Sequence, residues 1–248
     1  MIQRKEEGKM EKQIAFKALV GSHNYNLNQE GSDKDYKVFL IPSSEDVAEL
    51  KKSRMIKRAK EDVTYHNIHQ LKDLLIEGNV NFLEVLFSED LEFGNSLEAG
   101  AGAYLMELFE YREEIARMNL PGLYTSCLAF FNSQFNALRS RKKDELDYNT
   151  KQAMHCARIL DVLIRYERQG FNDFKSALWF SDGEPEKIEL ERIKAGAYTK
   201  EEMLIYLTNK KAYVQEVLKP IYSEQVINKE RSIWVMEQIM LFIQLCLE

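Results

Sequence analysis

The sequence predicts an α+β protein in which a small mixed sheet with helices precedes a helical region. Two apolar runs, 14–20 and 36–41, are typical of strands, and a turn-rich stretch separates them. From Leu97 onward, apolar residues recur with a helical period. We therefore expect residues 1–95 to form an α/β domain, and residues 96–248 to form a helical bundle domain packed against it.

The composition sets the class of protein. The chain has 248 residues, of which 45% are hydrophobic and 30% are charged, a balance typical of soluble globular proteins. A net charge of −6 argues against a generally basic nucleic-acid coat. The charged stretch 1–12 lacks the apolar centre of a secretory signal, and no apolar run approaches the ~18 residues of a membrane span.

Cysteine usage indicates the compartment. The three cysteines are scattered and lack metal-binding spacing, as expected for reduced thiols in a cytosol. We therefore predict a cytoplasmic protein with no membrane partner. The sequence leaves its oligomeric state open.

The first half of the chain alternates strands with helices. The patterns predict, in order, a lead-in at 1–13, strands at 14–20 and 36–41, a helix at 43–52, a strand at 62–65 and a helix at 67–77. Gly78 follows the last of these helices as its stop signal.

The second half is predicted to be almost wholly helical. We expect helices near 97–116, 122–141, 149–169, 186–194, 200–217 and 222–246. Proline and glycine punctuate them, and the short connections favour an up-down bundle.

The stretch between the first two strands carries the clearest chemistry. Gly21-Ser22 forms a turn after the first strand, and Asp33-x-Asp35 opens the second. Residues two apart on a strand point to the same face, so the two carboxylates would lie side by side. Such a pair repels itself unless a cation lies between the groups, and a hard divalent ion is the natural cation to bind there. A glycine turn also brings backbone N–H groups close to a phosphate.

These residues resemble a known signature. Gly21-Ser22, ten residues, then Asp33-x-Asp35 at the start of an apolar strand is similar to the motif of DNA-polymerase-beta-type nucleotidyltransferases. The fuller string, Gly-Ser-His-Asn-Tyr-x-Leu followed by Gly-Ser-Asp-x-Asp, resembles the bacterial and phage branch of predicted nucleotidyltransferases. Some members of that branch are called RNA-ligase-associated polymerase-beta-like proteins.

The resemblance implies a two-metal site. It assigns two Mg²⁺ ions, replaceable by Mn²⁺, to three carboxylates, of which the third is Asp62 because Asp-Val-Thr-Tyr resembles the family's third strand. Its neighbour Glu61 would point to the opposite face. Gly21 and Ser22 would hold the β- and γ-phosphates. The implied ligands are Asp33, Asp35 and Asp62, and Asp62 would also help deprotonate the acceptor.

A second group of candidates lies in the helical half. Lys151, His155 and Arg158 are spaced i, i+4, i+7 and share one face of a helix. Three potential cations suit a polyphosphate, and the spacing resembles the family's Lys-x-x-x-His-x-x-Arg helix, which favours a nucleotide contact. The alternative is a solvated face with salt bridges from Asp161 to Arg158 or Arg165.

Two further stretches stay open. Asn79-Val80-Asn81-x-x-Glu84 resembles the family's Asn-Pro-Asn-x-x-Glu, with Val80 in place of proline. It would contact a ribose or base, or support the metal site; alternatively it is a helix cap with a paired structural glutamate. The basic run 51–60 is either a solvated hairpin or loop, or a contact with nucleotide or RNA backbone.

The expected activity is transfer of a nucleoside monophosphate from an NTP such as ATP to a hydroxyl, with release of pyrophosphate. The acceptor is open between an RNA end, a protein and a small molecule. The rival interpretation is a non-catalytic nucleotide-binding or antitoxin-like module of the same fold. A hydrolase or phosphotransferase using the same ions is a further alternative.

Overall fold

The protein is a mixed α+β structure. The computed structural model describes residues 14–42, 54–58, 61–94, 100–140 and 148–247, with backbone alone at 54–58 and at Ser140. The predicted lead-in at 1–13 and the predicted helix at 43–52 lie outside the described residues.

Five strands form the sheet of the first half. Their order is β3-β4-β2-β1-β5, in which β2 and β4 run parallel and the other neighbours are antiparallel. The strands are β1 Ile14–Val20, β2 Lys34–Leu40, β3 Arg54–Arg58, β4 Glu61–Asn67 and β5 Leu91–Phe93. The first two predicted strands and the one predicted from Asp62 are all present. β3 lies in the basic run, for which a hairpin was one of the predictions, whereas β5 was not predicted.

Side chains on both faces of β2 are buried. On one face, Val38 and Tyr36 pack with Leu19 of β1 and Val63 of β4. On the other face, the ring of Phe39 stacks at 4.6 Å on a phenylalanine of β1. A strand covered on both faces is apolar where it is buried, which explains why residues 38–40 of β2 form an apolar run in the sequence.

The helices occupy most of the remaining chain. They are α1 Ile68–Ile76, α2 Val80–Leu83, α3 Gly102–Glu110, α4 Arg112–Arg117, α5 Leu120–Ser140, α6 Thr150–Arg168, α7 Phe174–Leu178, α8 Pro185–Lys194, α9 Lys200–Tyr213, α10 Lys219–Ser223 and α11 Lys229–Leu247. Short 3₁₀ turns lie at Gly21–Tyr25 and Glu84–Phe87, and a π turn at Val214–Leu218 follows α9. Within the described residues, none of the helices is both long and apolar enough to cross a membrane.

The helix predictions differ from the structure mainly at interruptions. Residues 97–99 of the helix predicted at 97–116 lie outside the described residues, and the rest contains two helices, α3 and α4, which meet at Tyr111 with ψ of 19°. The predicted helix at 222–246 divides into α10 and α11. α7 was not predicted, and its five residues are too few to show a helical period.

The chain forms two compact units. The first contains 1–77, 81–118 and 228–248, and the second contains 78–80 and 119–227. Helices α3, α4 and α11 of the predicted helical half belong to the first unit. α11 belongs to that unit because it packs on α1 and α3, and Asn228 N donates to the carbonyl O of Met118 at 2.8 Å.

The second unit is built around α6. Its start is capped by Asn149, whose side chain accepts a hydrogen bond from Gln152 N at 3.0 Å. Most side chains between Ala153 and Tyr166 are buried, because α5, α7, α8 and α9 all pack against this helix. α6 therefore forms the centre of the core of the second unit, and only a few of its buried residues are polar.

Candidate functional site

The turn after β1 meets the carboxylate of β2. Gly21 has φ of +74°, and a Cβ built on it would lie 2.7 Å from Oδ2 of Asp35. Both the left-handed backbone and the missing side chain are needed here, since any larger residue would collide with the carboxylate. The Gly-Ser turn and the second aspartate of the motif are therefore one piece of structure.

Asp35 and Asp62 are neighbours on adjacent strands. β2 and β4 are parallel, and these two residues are partners in the register. Neighbouring strands lie about 4.8 Å apart, and register partners of a parallel pair point to the same face. Both side chains are half-buried. The structure thus brings together two of the three predicted metal ligands, although 27 positions separate them in the chain.

Asp33 lies in a different setting. β2 begins at Lys34, so Asp33 belongs to the preceding loop, and its side chain is exposed. Strand alternation, which predicts that Asp33 and Asp35 share a face, therefore does not fix its direction. In the described parts of the chain, no group of three or more His, Cys, Asp or Glu side chains is arranged to hold a metal ion. Of the three predicted metal ligands, Asp35 and Asp62 are therefore the two whose positions suit the binding of a divalent ion.

The loop between turn and strand is fastened at several points. His23 Nε2 donates to the carbonyl O of Ser32 at 3.1 Å, and Gln29 N donates to Ser32 Oγ at 2.9 Å. Leu27 N donates to the carbonyl O of Ser22 at 2.9 Å. His23 therefore closes the loop onto its own turn, which brings the Asp33 end of the loop back towards Gly21.

Glu84 is the centre of a buried network. Its carboxylate accepts hydrogen bonds from the Tyr25 hydroxyl and from Lys37 Nζ, the latter at 2.9 Å. Lys37 Nζ also donates to the carbonyl O of Asn81. The side chain of Glu84 is 5% exposed and that of Lys37 is 14% exposed, so the ion pair is largely removed from water.

This network connects the two sequence motifs. Tyr25 ends the turn that begins at Gly21, and Lys37 follows Asp35 by two residues on the same face of β2. Asn24 adds a second link, because its side chain donates to the carbonyl O of Glu84 at 3.4 Å and accepts from Glu89 N at 2.9 Å. For Glu84, the structure favours a paired glutamate that fixes the turn against the strand.

His66 lies further along the same face of the sheet. Its ring stacks on Phe39 at 5.5 Å and meets Phe82 edge-on at 5.1 Å. Burial lowers the pKa of His66 to about 4, and the charge of Lys37 contributes to the shift. His66 is therefore a neutral aromatic residue of the core at physiological pH.

The candidates in the second unit share one face of α6. Lys151 is exposed, His155 is half-buried and Arg158 is 3% exposed. Burial lowers the pKa of His155 to about 3, and Arg158, Lys151 and Lys194 all contribute to the shift. Lys194, the last residue of α8, was not predicted from the sequence. It lies 36 positions beyond Arg158, and no local pattern connects it to the α6 residues.

Two residues of the alternative, Asp161 and Arg165, each form a close ion pair with another element, and the charge of Arg165 also opposes the raised pKa of Asp161. Asp161 pairs with Lys210 of α9 at 2.6 Å, and Arg165 pairs with Glu184 at 2.6 Å. Arg165 also donates to the carbonyl O of Ser176 and that of Trp179, at 2.6 Å each, which ties it to the end of α7. These polar residues of α6 are structural.

The remaining candidate stretches are only partly described. Residues 54–58 of the basic run form β3, in which Lys57 is the register partner of Asp62. Residues 51–53 and 59–60 lie outside the described residues. Asn79 and Asn81 flank the start of α2, whose first N–H, on Val80, donates to Ser126 Oγ at 3.0 Å.

A cavity of about 640 Å³ lies elsewhere in the first unit. Residues of α1 and α11 line it, among them His69, Glu237, Met240, Leu241 and Leu247. None of the predicted site residues contributes to its wall.

The sequence matches no protein-family model, and a search of curated proteins returns no significant match. Residues and geometry therefore carry the functional assignment.

Proposed function

We propose that the protein is a metal-dependent nucleotidyltransferase that moves a nucleoside monophosphate from an NTP to a hydroxyl acceptor. The observation that carries the proposal is the arrangement of Gly21 close to Asp35, with Asp62 as the register partner of Asp35. A glycine turn touches one carboxylate, and parallel pairing places the second carboxylate beside it. The order strand, glycine turn, strand, parallel strand also supports a polymerase-beta-type domain.

The reaction would be an in-line displacement at the α-phosphorus. The acceptor oxygen forms a bond to phosphorus, the bond to the β-phosphate oxygen breaks, and pyrophosphate leaves. Gly21 and Ser22 would hold the β- and γ-phosphates through backbone N–H groups and the Ser22 hydroxyl. Asp62 would orient the acceptor and accept the proton of its hydroxyl.

Asp35 and Asp62 would hold the divalent ions, with Asp33 reaching in from the loop. Bound Mg²⁺ would stabilise the charge on the entering and leaving oxygens. Two adjacent carboxylates fit such ions because oxygen ligands are what hard cations prefer. The Glu84 network would keep the turn and the Asp35 strand at a fixed spacing, since it bonds to both.

One observation favours the non-catalytic alternative. The exposed Asp33, in the loop before β2, also suits a module that binds a nucleotide without turning it over. In that case the two carboxylates would hold a single ion with the nucleotide. The two functions differ in turnover and agree on metal-dependent nucleotide binding.

The test incubates the full chain with Mg²⁺ and each α-labelled NTP, in the presence of cell extract as the source of acceptor. We expect labelled product with the unaltered protein. The rate of label transfer should fall more than about 100-fold with Asp35→Asn and with Asp62→Asn. Asp73→Asn is the matched control, because Asp73 lies on α1 and pairs with Lys72 at 2.7 Å.

Binding is measured alongside transfer, by the effect of Mn²⁺ on the NMR spectrum of each NTP with and without protein. Metal-dependent binding without transfer would overturn catalysis in favour of the non-catalytic module. Absence of both binding and transfer would overturn both functions.

A further inference from the structure

Helix α11 is apolar on both of its faces. One face packs on α1 and α3 of the same unit, where Val235, Ile239 and Phe242 are fully buried. A surface helix normally turns polar residues to water on the other side, and a helix that is apolar all round is normally covered all round. On the outer face of α11, six large apolar side chains are instead 39% to 52% exposed: Ile233, Met236, Met240, Leu241, Leu245 and Leu247.

Four of these side chains form one row, the apolar stripe. Ile233, Met240 and Leu247 are seven residues apart, which is close to two helical turns, and Met236 lies one turn before Met240. The apolar stripe is about 21 Å long. Single exposed apolar residues are ordinary on a protein surface, whereas a continuous row of them marks an interaction surface. A seven-residue repeat is also the spacing with which one helix packs along another.

The apolar stripe borders the cavity of about 640 Å³ in the first unit. Met240 and Leu247 belong to both, and His69 of α1 contributes to the cavity wall. Two helices pack when the side chains of one enter holes on the surface of the other. The outer face of α11 therefore offers both projecting side chains and an adjoining hole.

The spacing of the apolar stripe is self-complementary. A two-fold axis at Met240 would make two copies of α11 antiparallel, so that residues at equal distances on either side of Met240 face each other. Ile233 and Leu247 lie seven residues to either side, so each would meet the other in the second copy. Glu237 and Gln244 share one flank of the stripe, and the same axis would place Glu237 of one copy alongside Gln244 of the other.

The exposed area suits a second copy. The six side chains leave on the order of 500 Å² of apolar surface per copy, so pairing would remove about 1,000 Å² from water, the lower bound of a specific interface. A lipid surface fits less well. Helices that lie on membranes carry Lys and Arg beside their apolar face, whereas the residues that flank this stripe are Glu237 and Gln244.

We propose that the apolar stripe of α11 is the interface of a two-fold symmetric homodimer, in which the two α11 helices pack antiparallel with Met240 on the axis. An interface of this size gives a reversible dimer with a Kd in the range of about 1–100 µM. The inference does not depend on the proposed function, because Asp35 and Asp62 lie on β2 and β4 and take no part in the stripe.

Sedimentation of the full chain between about 1 and 300 µM measures the dimer directly. We expect the mass to rise with concentration from one chain towards two. Met240→Glu places two carboxylates together on the axis and should weaken the dimer at least about 100-fold. Met106→Glu is the matched control, since Met106 lies on α3 of the same unit, is 47% exposed and should leave the dimer unchanged.

Three outcomes would overturn the interface. The first is a monomer at every concentration, with or without binding to lipid vesicles. The second is a dimer that Met240→Glu does not weaken. The third is an equal loss in Met240→Glu and Met106→Glu, which would reflect added negative charge and not the stripe.

Cysteine crosslinking tests the direction of the two helices and does not require a charge on α11. In a Cys246→Ser background, with an added thiol oxidant, Met240→Cys should form a disulfide between copies because the two residues meet on the axis. Ile233→Cys should not, because it faces Leu247 of the second copy, whereas Ile233→Cys combined with Leu247→Cys should crosslink. Crosslinking of Ile233→Cys alone as readily as Met240→Cys would indicate parallel helices and would overturn the antiparallel dimer, as would no crosslinking of Met240→Cys.

Discussion

Both compact units combine a buried ion pair with a group of neighbouring like charges. In the first unit, Lys37 pairs with Glu84 at 2.9 Å, and the neighbouring acids are Asp35 and Asp62. In the second unit, Lys210 pairs with Asp161 at 2.6 Å. The neighbouring cations there are Lys151, Arg158 and Lys194.

The difference between pairs and groups separates structure from function. An opposite-charge pair satisfies itself once buried, so its role is to fix the chain. Like charges repel one another, so a group of them favours an ion of opposite sign beside it. The proposed function would use Asp35 and Asp62 of the first unit in this way, to bind divalent ions.

The comparison predicts the largest stability loss at Glu84. Glu84→Ala leaves the Lys37 charge buried without its partner, so we expect the free energy of unfolding to fall by about 3–5 kcal/mol. Urea denaturation measures the change. Glu89→Ala, on an exposed side chain five residues along, is the control and should change the free energy by less than about 0.5 kcal/mol. A loss at Glu84 no larger than that of the control would mean that the pair does not fix the turn.

Breaking the Lys210–Asp161 pair of the second unit should lower the free energy of unfolding by an amount that depends on pH. Lys210→Met removes the cation that opposes the effect of burial, so the pKa of Asp161 should rise further. The pKa of this carboxyl is higher in the folded protein than in the unfolded chain. Its contribution to stability is therefore present below the pKa of the unfolded chain and is lost as the pH rises through the pKa of the folded protein. We therefore expect a loss of about 3 kcal/mol at pH 8 that shrinks as pH falls towards about 4.

Lys211→Met serves as the control for this series. Lys211 is the next residue on α9 and bonds to the surface Asn132 at 2.9 Å. Its stability should follow the pH profile of the unaltered protein. A pH-independent loss in Lys210→Met would show that Asp161 is not the group responsible.

The sequence predicts the main strands and helices because their patterns are local. β1 and β2 are apolar runs, and Lys151, His155 and Arg158 are separated by helical turns. Features that depend on pairing are absent from such patterns. The three-residue β5 is too short to show a period, and the cationic run that contains β3 is compatible with either a hairpin or a loop from its sequence alone.

The candidate site likewise contains residues that a local pattern indicates and residues that only packing brings together. The resemblance selects Asp62, and the register places it beside Asp35 as expected for neighbouring ligands. Alternation along β2 would have indicated Lys37, two residues after Asp35, as a member of the same face. Lys194 could not be found this way, because its proximity to His155 arises from the packing of α8 on α6.

A smaller effect is expected at the glycine turn, and the chain provides its own control. Gly21 and Gly31 have φ of +74° and +81°, but only at Gly21 does an added Cβ meet Asp35 Oδ2. Gly31→Ala should cost about 1 kcal/mol for backbone strain alone. Gly21→Ala should cost about 2 kcal/mol, since the collision adds to the strain. Thermal and urea denaturation measure both.

The glycine pair also tests the acidic site. Gly21→Ala displaces the carboxylate, so it should weaken Mn²⁺ binding to the protein, whereas Gly31→Ala should leave it unchanged. Equal Mn²⁺ affinities in the two variants would show that the turn and the carboxylates act separately.

The last comparison concerns the buried His66 and the half-buried His155, which distinguish the units most directly. Burial holds the pKa of His66 near 4 and that of His155 near 3, with Lys37 contributing in the first case and three cations in the second. Histidines in the urea-unfolded chain should titrate near about 6.5. The ring signals of His66 and His155 should therefore stay those of neutral imidazole from pH 8 to pH 5.

Their response to Lys194→Met should differ. The variant removes one of the three cations near His155, so the pKa of His155 should rise while that of His66 stays unchanged. Because both folded pKa values lie below the unfolded value, the protein should lose stability as pH falls from about 7, and Lys194→Met should lose less. An equal pKa shift of both histidines would mean that the variant loosens the fold. The charge of Lys194 would then have no specific effect on His155.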